Sequence, residues 1–73
     1  MRAKSDIRAR LGTRLRRLRE RRNWGQDDLS AASGISREYI SRLENGRQDP
    51  GLLVLESLAG ALGMTVAQLM RGV

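Results

Sequence analysis

The sequence predicts an all-α fold, a single domain built as a bundle of five short helices. Apolar residues recur at spacings of three and four, which is typical of one helix face, and no stretch shows the strict alternation of a strand. Glycine, asparagine and proline divide these periodic segments into short units. The length of 73 residues fits one domain, 1–73, with a flexible N-terminus expected over residues 1–5.

The first helix is predicted from about Ser5 to Arg22, with Ser5 or Asp6 as its N-cap. Its apolar face repeats at spacings of four, four and three through Ile7, Leu11, Leu15 and Leu18. Ten of the fourteen basic residues lie between Arg2 and Arg22 and occupy the remaining faces. These arginines form either a solvated face or a surface that lies along a phosphate backbone.

The second and third helices are predicted to be short and separated by a glycine turn. The second runs from Gln26 to Ser33, and Gly34 after it can adopt the left-handed conformation that ends a helix. The third runs from about Arg37 to Asn45. Its only apolar residues are Ile40 and Leu43, so it is expected to bury a narrow stripe and to present its other side chains to solvent or a ligand.

The fourth helix is predicted over residues 52–62, with a broad inward stripe made of Leu52, Leu55, Leu58, Ala59 and Leu62. Leu53 and Val54 fall outside this stripe. The fifth helix starts with a capping box at Thr65–Gln68 and ends near Met70, and its inward residues are expected to be Val66, Leu69 and Met70.

The amino-acid composition favours some classes of function and argues against others. The net charge of +6 favours a nucleic-acid binder, and a membrane surface is the other polyanion to consider. The chain has no cysteine and no histidine, so no metal site, disulfide or cofactor is expected and an enzyme is the weakest class. Neither an apolar stretch of about 18 residues nor a secretory signal is evident, which predicts no membrane association and a cytoplasmic, nucleoid-associated protein.

The spacing of one set of residues indicates which surface binds a ligand. An apolar residue, a turn glycine and three further apolar anchors follow the start of the second helix at fixed spacing: Gln26, Leu29, Gly34, Ile35, Ile40 and Leu43. This spacing suits two short helices that cross steeply around a glycine turn. The outer face of the second of these helices then protrudes, and an α-helix has the right width for the major groove of B-DNA.

With these residues the sequence resembles the Cro/repressor-type (XRE-like) helix-turn-helix family of bacterial and phage regulators, the lambda repressor-like DNA-binding domains. The matching stretches are LGTRLRRLRERRNWGQDDLSAASGISREYISRLENGRQDP and LLVLESLAGALGMTVAQLM. The resemblance covers about residues 11–70. The stretch from Arg37 to Arg47 is also similar to small controller proteins of restriction–modification systems.

The resemblance implies roles for individual residues. Positions that family members point at base edges are occupied by Arg37, Glu38, Tyr39, Ser41 and Arg42. Positions near DNA phosphates are occupied by Gln26, Ser36, Asn45, Arg47 and Gln48. Arg19 and Glu44 match an internal salt bridge between the first and third helices. The sequence departs from the family at Gly25, where a serine or threonine N-cap is usual, and at Ser30 and Gly51.

Each role has a plainer alternative. Arg37 and Glu38 could read a G·C step, or Glu38 could simply orient Arg37 or Arg42 within the helix. Tyr39 could touch DNA or be a half-buried ring between helices. Trp24 is expected in the core or at its rim, and Arg19 with Glu44 could be ordinary surface charges.

The expected function is sequence-specific transcriptional regulation. A homodimer would bind a palindromic operator in double-stranded DNA, with helix 37–45 in the major groove. Leu53, Val54 and Met70 are predicted to be exposed on each monomer and to form the dimer interface, because apolar residues remain outside the inward stripe and the core is small. RNA polymerase is a candidate further partner. The alternative is a protein-binding module on the same fold, of the antitoxin or regulator-inhibitor type.

Overall fold

The computed structural model describes residues 6–73. Their helices are α1 (Ile7–Glu20), α2 (Gln26–Ser33), α3 (Arg37–Glu44), α4 (Leu52–Ala61) and α5 (Val66–Leu69). No strand occurs between residues 6 and 73, and the all-α prediction is confirmed. The expected flexible N-terminus and Ser5 as a cap lie outside the described residues.

Side chains at the helix starts satisfy backbone N–H groups that the helices themselves leave unpaired. Asp6 caps α1 by accepting from the Arg8 backbone N–H at 2.8 Å. Ser36 caps α3 by accepting from the Tyr39 backbone N–H at 3.1 Å. Gly25, which has no side chain to cap α2, donates its own N–H to the Asp28 carboxylate at 2.7 Å. Asp28 thus supplies one half of a capping box, while no side chain among residues 6–73 takes the place of the missing serine or threonine.

The core is a single cluster to which all five helices contribute. Its buried members are Leu11, Leu15, Leu18, Leu29, Ile40, Leu43, Leu58, Ala59, Leu62 and Leu69. Ile40 and Leu43 are both 0% exposed, which confirms the narrow buried stripe predicted for α3. Trp24 and Tyr39 are half-buried and pack against the same cluster. The inner side of α3 is thus fixed by the core, and this leaves its outer side free.

Gly12 allows α1 and α3 to approach each other closely. A Cβ atom built on Gly12 would lie 2.3 Å from the backbone oxygen of Leu43 and 2.8 Å from that of Glu44. Such separations are far below van der Waals contact, and both neighbours are backbone atoms that cannot swing away. The position of α3 against α1 therefore depends on a glycine to which the sequence patterns assign no role.

The structure corrects several predictions about apolar residues. Ile7 is 53% exposed and Leu52 is 79% exposed, so neither belongs to the core. Each is the first residue of its helix. Val54 is half-buried rather than exposed, because it precedes Leu58 by four residues and shares its face.

Leu53 and Met70, the other two residues of the predicted dimer surface, differ in their exposure to solvent. Leu53 is 78% exposed, as expected. Met70 is half-buried and packs against the core, as expected for the inward face of the last helix but not for an exposed interface. Leu53, Val54 and Met70 therefore do not form one exposed surface, and the exposed apolar pair on α4 is Leu52 with Leu53.

Candidate nucleic-acid interface

The turn between α2 and α3 is held by two serine side chains of α2. Gly34 has a φ of 77°, a left-handed conformation that glycine adopts without a Cβ penalty. The Ser30 hydroxyl donates to the Ile35 carbonyl at 2.6 Å, and the Ser33 hydroxyl accepts from the Ile35 N–H at 3.1 Å. Ser30 thus contributes a hydrogen bond that an alanine could not make.

The outer face of α3 and the start of α2 together form a shallow polar groove. It has a volume of about 330 Å³ and is lined by Gln26, Arg37, Glu38, Ser41 and Arg42. Four of these residues were predicted to contact bases and one to contact a phosphate. The structure therefore places them on one continuous surface, opposite the buried stripe of Ile40 and Leu43.

Arg42 is held by two neighbours. Its Nε donates to the Gln48 Oε1 at 3.0 Å, and its guanidinium carbon lies 5.9 Å from the centre of the Tyr39 ring. The half-buried Tyr39 ring is thus both the platform for Arg42 and a part of the core rim. An arginine held from two sides has less conformational freedom to lose on binding.

Arg37 and Glu38 are much less constrained. The Arg37 Nε lies 3.6 Å from the Asp27 Oδ1, but the two side chains are 62% and 78% exposed. Such an exposed pair contributes little and can separate when a stronger partner arrives. Within residues 6–73 the Glu38 carboxylate makes no ion pair, so the alternative in which Glu38 orients Arg37 or Arg42 is not observed.

Glu44 anchors α3 from beneath through a buried carboxylate. The Arg19 Nε lies 2.7 Å from its Oε2, and the Arg19 Nη2 lies 2.9 Å from its Oε1. Gln26 donates its Nε2 to the same Oε1 at 3.1 Å, and Arg16 reaches it at 3.5 Å. The Arg19 Nη1 also donates to the Trp24 carbonyl at 2.7 Å. One carboxylate therefore ties α1, α2 and α3 together.

Burial and the neighbouring positive charge shift the pKa of Glu44 in opposite directions. Its side chain is 0% exposed and that of Arg19 is 10% exposed, so they are not ordinary surface charges. Burial by itself raises the pKa of the Glu44 carboxyl, but hydrogen bonds from Arg19 and Gln26 and the positive charge of Arg19 outweigh burial and hold the pKa below its usual value. The same pair raises the pKa of Arg19. The network therefore keeps both groups charged.

Comparison with known proteins assigns this arrangement to a family. A family model described as a helix-turn-helix domain matches residues 10–71. The chain is 39% identical over 64 residues to an uncharacterized HTH-type transcriptional regulator, y4dJ, of Sinorhizobium fredii, covering 88% of this chain and 83% of that protein. It is 35% identical over 66 residues to the control protein C.MunI of Mycoplasma sp., covering 89% of each.

A solved structure supports the same family assignment. The restriction–modification controller protein C.AhdI of Aeromonas hydrophila superimposes with a TM-score of 0.82 at 32% identity, covering 85% of this chain and 94% of that one. The chain belongs to the helix-turn-helix family. It is a DNA-binding transcriptional regulator, and the proteins of this family are not enzymes.

In this helix-turn-helix regulator the motif itself is α2, the Gly34 turn and α3. Several residues expected to meet phosphates also make intramolecular hydrogen bonds. The Ser36 hydroxyl caps α3, and the Asn45 amide donates to the Ser41 carbonyl at 2.9 Å. Arg47 is exposed just beyond α3, and its backbone N–H donates to the Arg42 carbonyl at 2.9 Å. These groups line the end and the start of α3, on either side of the groove.

The regulator also uses residues that sequence reasoning missed. Arg16 joins the Glu44 network, and the one available signal was its spacing of three residues from Arg19 on the same helix face. Within residues 6–73 no cluster of acidic residues could hold a metal ion, and no helix there is long and apolar enough to cross a membrane.

Proposed function

We propose that the regulator reads DNA by placing α3 in the major groove of the duplex. The observation that carries the proposal is the single polar groove made by Gln26, Arg37, Glu38, Ser41 and Arg42 on the protruding side of α3. An α-helix fits the width of the major groove, where each base pair presents a distinct pattern of donors and acceptors. The core holds the opposite side of α3, so the reading face is presented as a rigid unit.

The side chains in this groove have complementary base chemistry. Arg42, held by Gln48 and Tyr39, can donate a forked pair of hydrogen bonds to the O6 and N7 atoms of guanine. Glu38 has a carboxylate available to accept from the amino group of cytosine. Arg37 exchanges its weak contact with Asp27 for a base edge. Ser41 and Tyr39 complete the predicted base contacts.

Phosphate contacts are proposed to flank this reading face. Gln26 uses one amide hydrogen for Glu44 and keeps the second for a phosphate oxygen. Ser36 and Asn45 lie at the two ends of α3, and Arg47 with Gln48 follows in the loop. Contacts of this kind set the register and orientation of a protein on the duplex but carry no sequence information.

The assembly on DNA is proposed to be a homodimer on a palindromic site, with half-sites about one helical turn apart. Support comes from α4, where Leu52 and Leu53 are 79% and 78% exposed. Two adjacent leucines in water are stabilised by burial against a second copy. The similarity to C.MunI and C.AhdI favours a controller-type regulator. We place its action at the nucleoid in the cytoplasm, with RNA polymerase as a further partner.

Two alanine variants test the proposal. Arg37→Ala should cost about 1–3 kcal/mol of binding free energy and relax the preference at one base pair. Arg47→Ala should weaken binding to all sequences alike and lower the slope of log K against log salt by about 1. Both are read out by titrating a selected operator and its single-base variants at several salt concentrations. If the two variants change affinity in the same way, direct readout by Arg37 is refuted.

A further inference from the structure

A second basic surface lies on α1, away from the helix-turn-helix motif. It is an open groove of about 460 Å³ between the exposed side of α1 and the chain segment that follows α5. Five arginines line it: Arg10, Arg14, Arg17, Arg21 and Arg71. We call this surface the arginine groove. Its remaining lining residues are small and uncharged, namely Ala9, Thr13 and Gly72, and no carboxylate lines it.

The arginine groove faces away from α3. Gly12 and Arg19 define the side of α1 that contacts α3, through the Leu43 carbonyl and the Glu44 carboxylate. At about 100° per residue, the stripe formed by positions 10, 14, 17 and 21 lies about 180° around the helix axis from that side. The arginine groove and the groove beside α3 also share no lining residue. The arginine groove is therefore a second surface, separate from the reading face, that can take a ligand of its own.

The arginine groove combines arginines that are fixed by hydrogen bonds with arginines whose guanidinium groups have no partner among residues 6–73. The Arg10 Nε donates to the Val73 carbonyl at 2.7 Å, and Arg14 donates to the Leu69 and Gln68 carbonyls at 3.2 and 2.9 Å. These bonds fix α1 against the last segment of the chain. In the described part of the chain no side-chain hydrogen bond or ion pair engages Arg17, Arg21 or Arg71, so their guanidiniums are available for an anion.

The shape of the groove favours a linear polyanion. The stripe from position 10 to position 21 is about 16 Å long, and duplex DNA presents one phosphate charge per about 1.7 Å of its axis. Arginine forks onto phosphate oxygens with two parallel hydrogen bonds. A protein partner usually inserts an aromatic or aliphatic side chain into a pocket of the surface that binds it. A lipid surface is bound through bulky apolar residues that lie beside the basic ones. The uncharged lining residues Ala9, Thr13 and Gly72 provide neither such a pocket nor bulky apolar side chains.

We propose that the arginine groove binds the phosphate backbone of a second DNA duplex without regard to sequence. Contacts to phosphate alone need only fixed positive charge and no base readout. One protomer then holds its operator on α3 and another DNA segment on α1. This regulator would bridge two duplexes, or two distant parts of one DNA molecule, and the arginines of α1 would have the phosphate role that the sequence left open.

A two-step capture assay tests the proposal with the full chain. Immobilised operator duplex is saturated with protein, washed, and then exposed to a fluorescent duplex that lacks the operator. The wild-type complex should capture the second duplex, and capture should weaken with salt. Arg17→Gln/Arg21→Gln should keep operator binding but lower the slope of log K for capture against log salt by about 2, because each phosphate contact contributes about 0.9.

Two further variants keep the result interpretable. Arg8→Gln removes one charge from the same helix on another face, where Arg8 pairs with Asp6, and should leave capture unchanged. Arg71→Gln changes a groove residue outside every helix and should weaken capture even if the double variant unfolds. Failure of operator preference in the first step would refute base reading by α3, which is a separate claim.

Three results would overturn the arginine groove as a DNA site. One is intact operator binding with no capture of the second duplex. Another is equal capture by the wild type and by folded Arg17→Gln/Arg21→Gln. The third is capture of a fluorescent poly-glutamate peptide in place of duplex DNA, lost in the groove variants, which would assign the groove to an acidic protein.

Discussion

Glu44→Gln is the perturbation that most sharply tests how α3 is held in place. The substitution preserves the volume of the side chain but removes its charge. Arg19, whose side chain is 10% exposed and which lies 2.7 and 2.9 Å from the two carboxylate oxygens, would be left with a neutral partner. Gln26 and Arg16, which lie 3.1 and 3.5 Å from the same carboxylate, would also face an uncharged amide.

The expected loss is large for a domain of this size. Removing one partner of a buried ion pair costs about 3–5 kcal/mol, because the other charge remains buried without compensation. The amide oxygen of the introduced glutamine can still accept hydrogen bonds, so we expect a loss at the lower end of this range, about 3 kcal/mol, for Glu44→Gln. A chain of 73 residues has a total stability of about 4–11 kcal/mol. At about 4–8 °C per kcal/mol, the melting temperature should fall by more than about 10 °C.

Urea unfolding followed by circular dichroism measures this loss, and pH gives an independent check. The pKa of Glu44 is lowered in the folded state, so its contribution to stability is present above the unfolded pKa of about 4.5 and is lost as the pH falls through the folded pKa. Wild-type stability should decline over this acidic range by more than that of Glu44→Gln. The difference between the two proteins removes the contribution of the other carboxylates.

Glu56→Gln is the matched control, since Glu56 is exposed on α4 and makes no ion pair within the described residues. It should change stability by less than about 0.5 kcal/mol. A loss of less than about 1 kcal/mol in Glu44→Gln, with a pH profile like that of the wild type, would refute the role of the buried carboxylate.

Two further predictions concern packing and assembly. Gly12→Ala should destabilise the fold by about 1–3 kcal/mol in urea unfolding because the added Cβ meets the Leu43 carbonyl. Gly60→Ala should stabilise α4 by about 0.5–1 kcal/mol, because a Cβ there would meet no other part of the described fold within 4 Å. Effects of the same sign would contradict the close approach of α1 and α3. Leu53→Glu should shift a dimer to monomers in sedimentation without lowering the thermal stability of the monomer, because Leu53 is 78% exposed; a wild-type monomer at high micromolar concentration would contradict the proposed interface.

Local features of the sequence were enough to predict most of the fold. The caps at Asp6, Ser36 and Thr65 and the turn at Gly34 depend only on neighbouring residues, and all of them occur in the structure. The buried stripe of α3 follows from its spacing alone. Exposure at the first turn of a helix is different, because it depends on how far the neighbouring helices extend. The sequence therefore predicted a buried Leu52 where the structure has an exposed one.

Features made by distant parts of the chain were out of reach of pattern reasoning. The need for glycine at position 12 arises from the crossing of α1 with α3, where the backbone of Leu43 and Glu44 lies against it. Gln26 and Arg16 meet at Glu44 only after three helices have packed together. The arginine groove exists because the segment after α5 lies beside α1. The proposed reading face, by contrast, consists mainly of residues from one short helix, so spacing and resemblance were enough to propose its residues.

Operator preference is the direct measure of whether the outer face of α3 reads base pairs. A binding site is selected from random duplexes, and its affinity is compared with that of a scrambled duplex of equal length at about 150 mM salt, where the Debye length is about 8 Å. Base readout by the outer face of α3 predicts a preference of at least about 10³-fold for the selected site. Equal affinity for the two duplexes would contradict it.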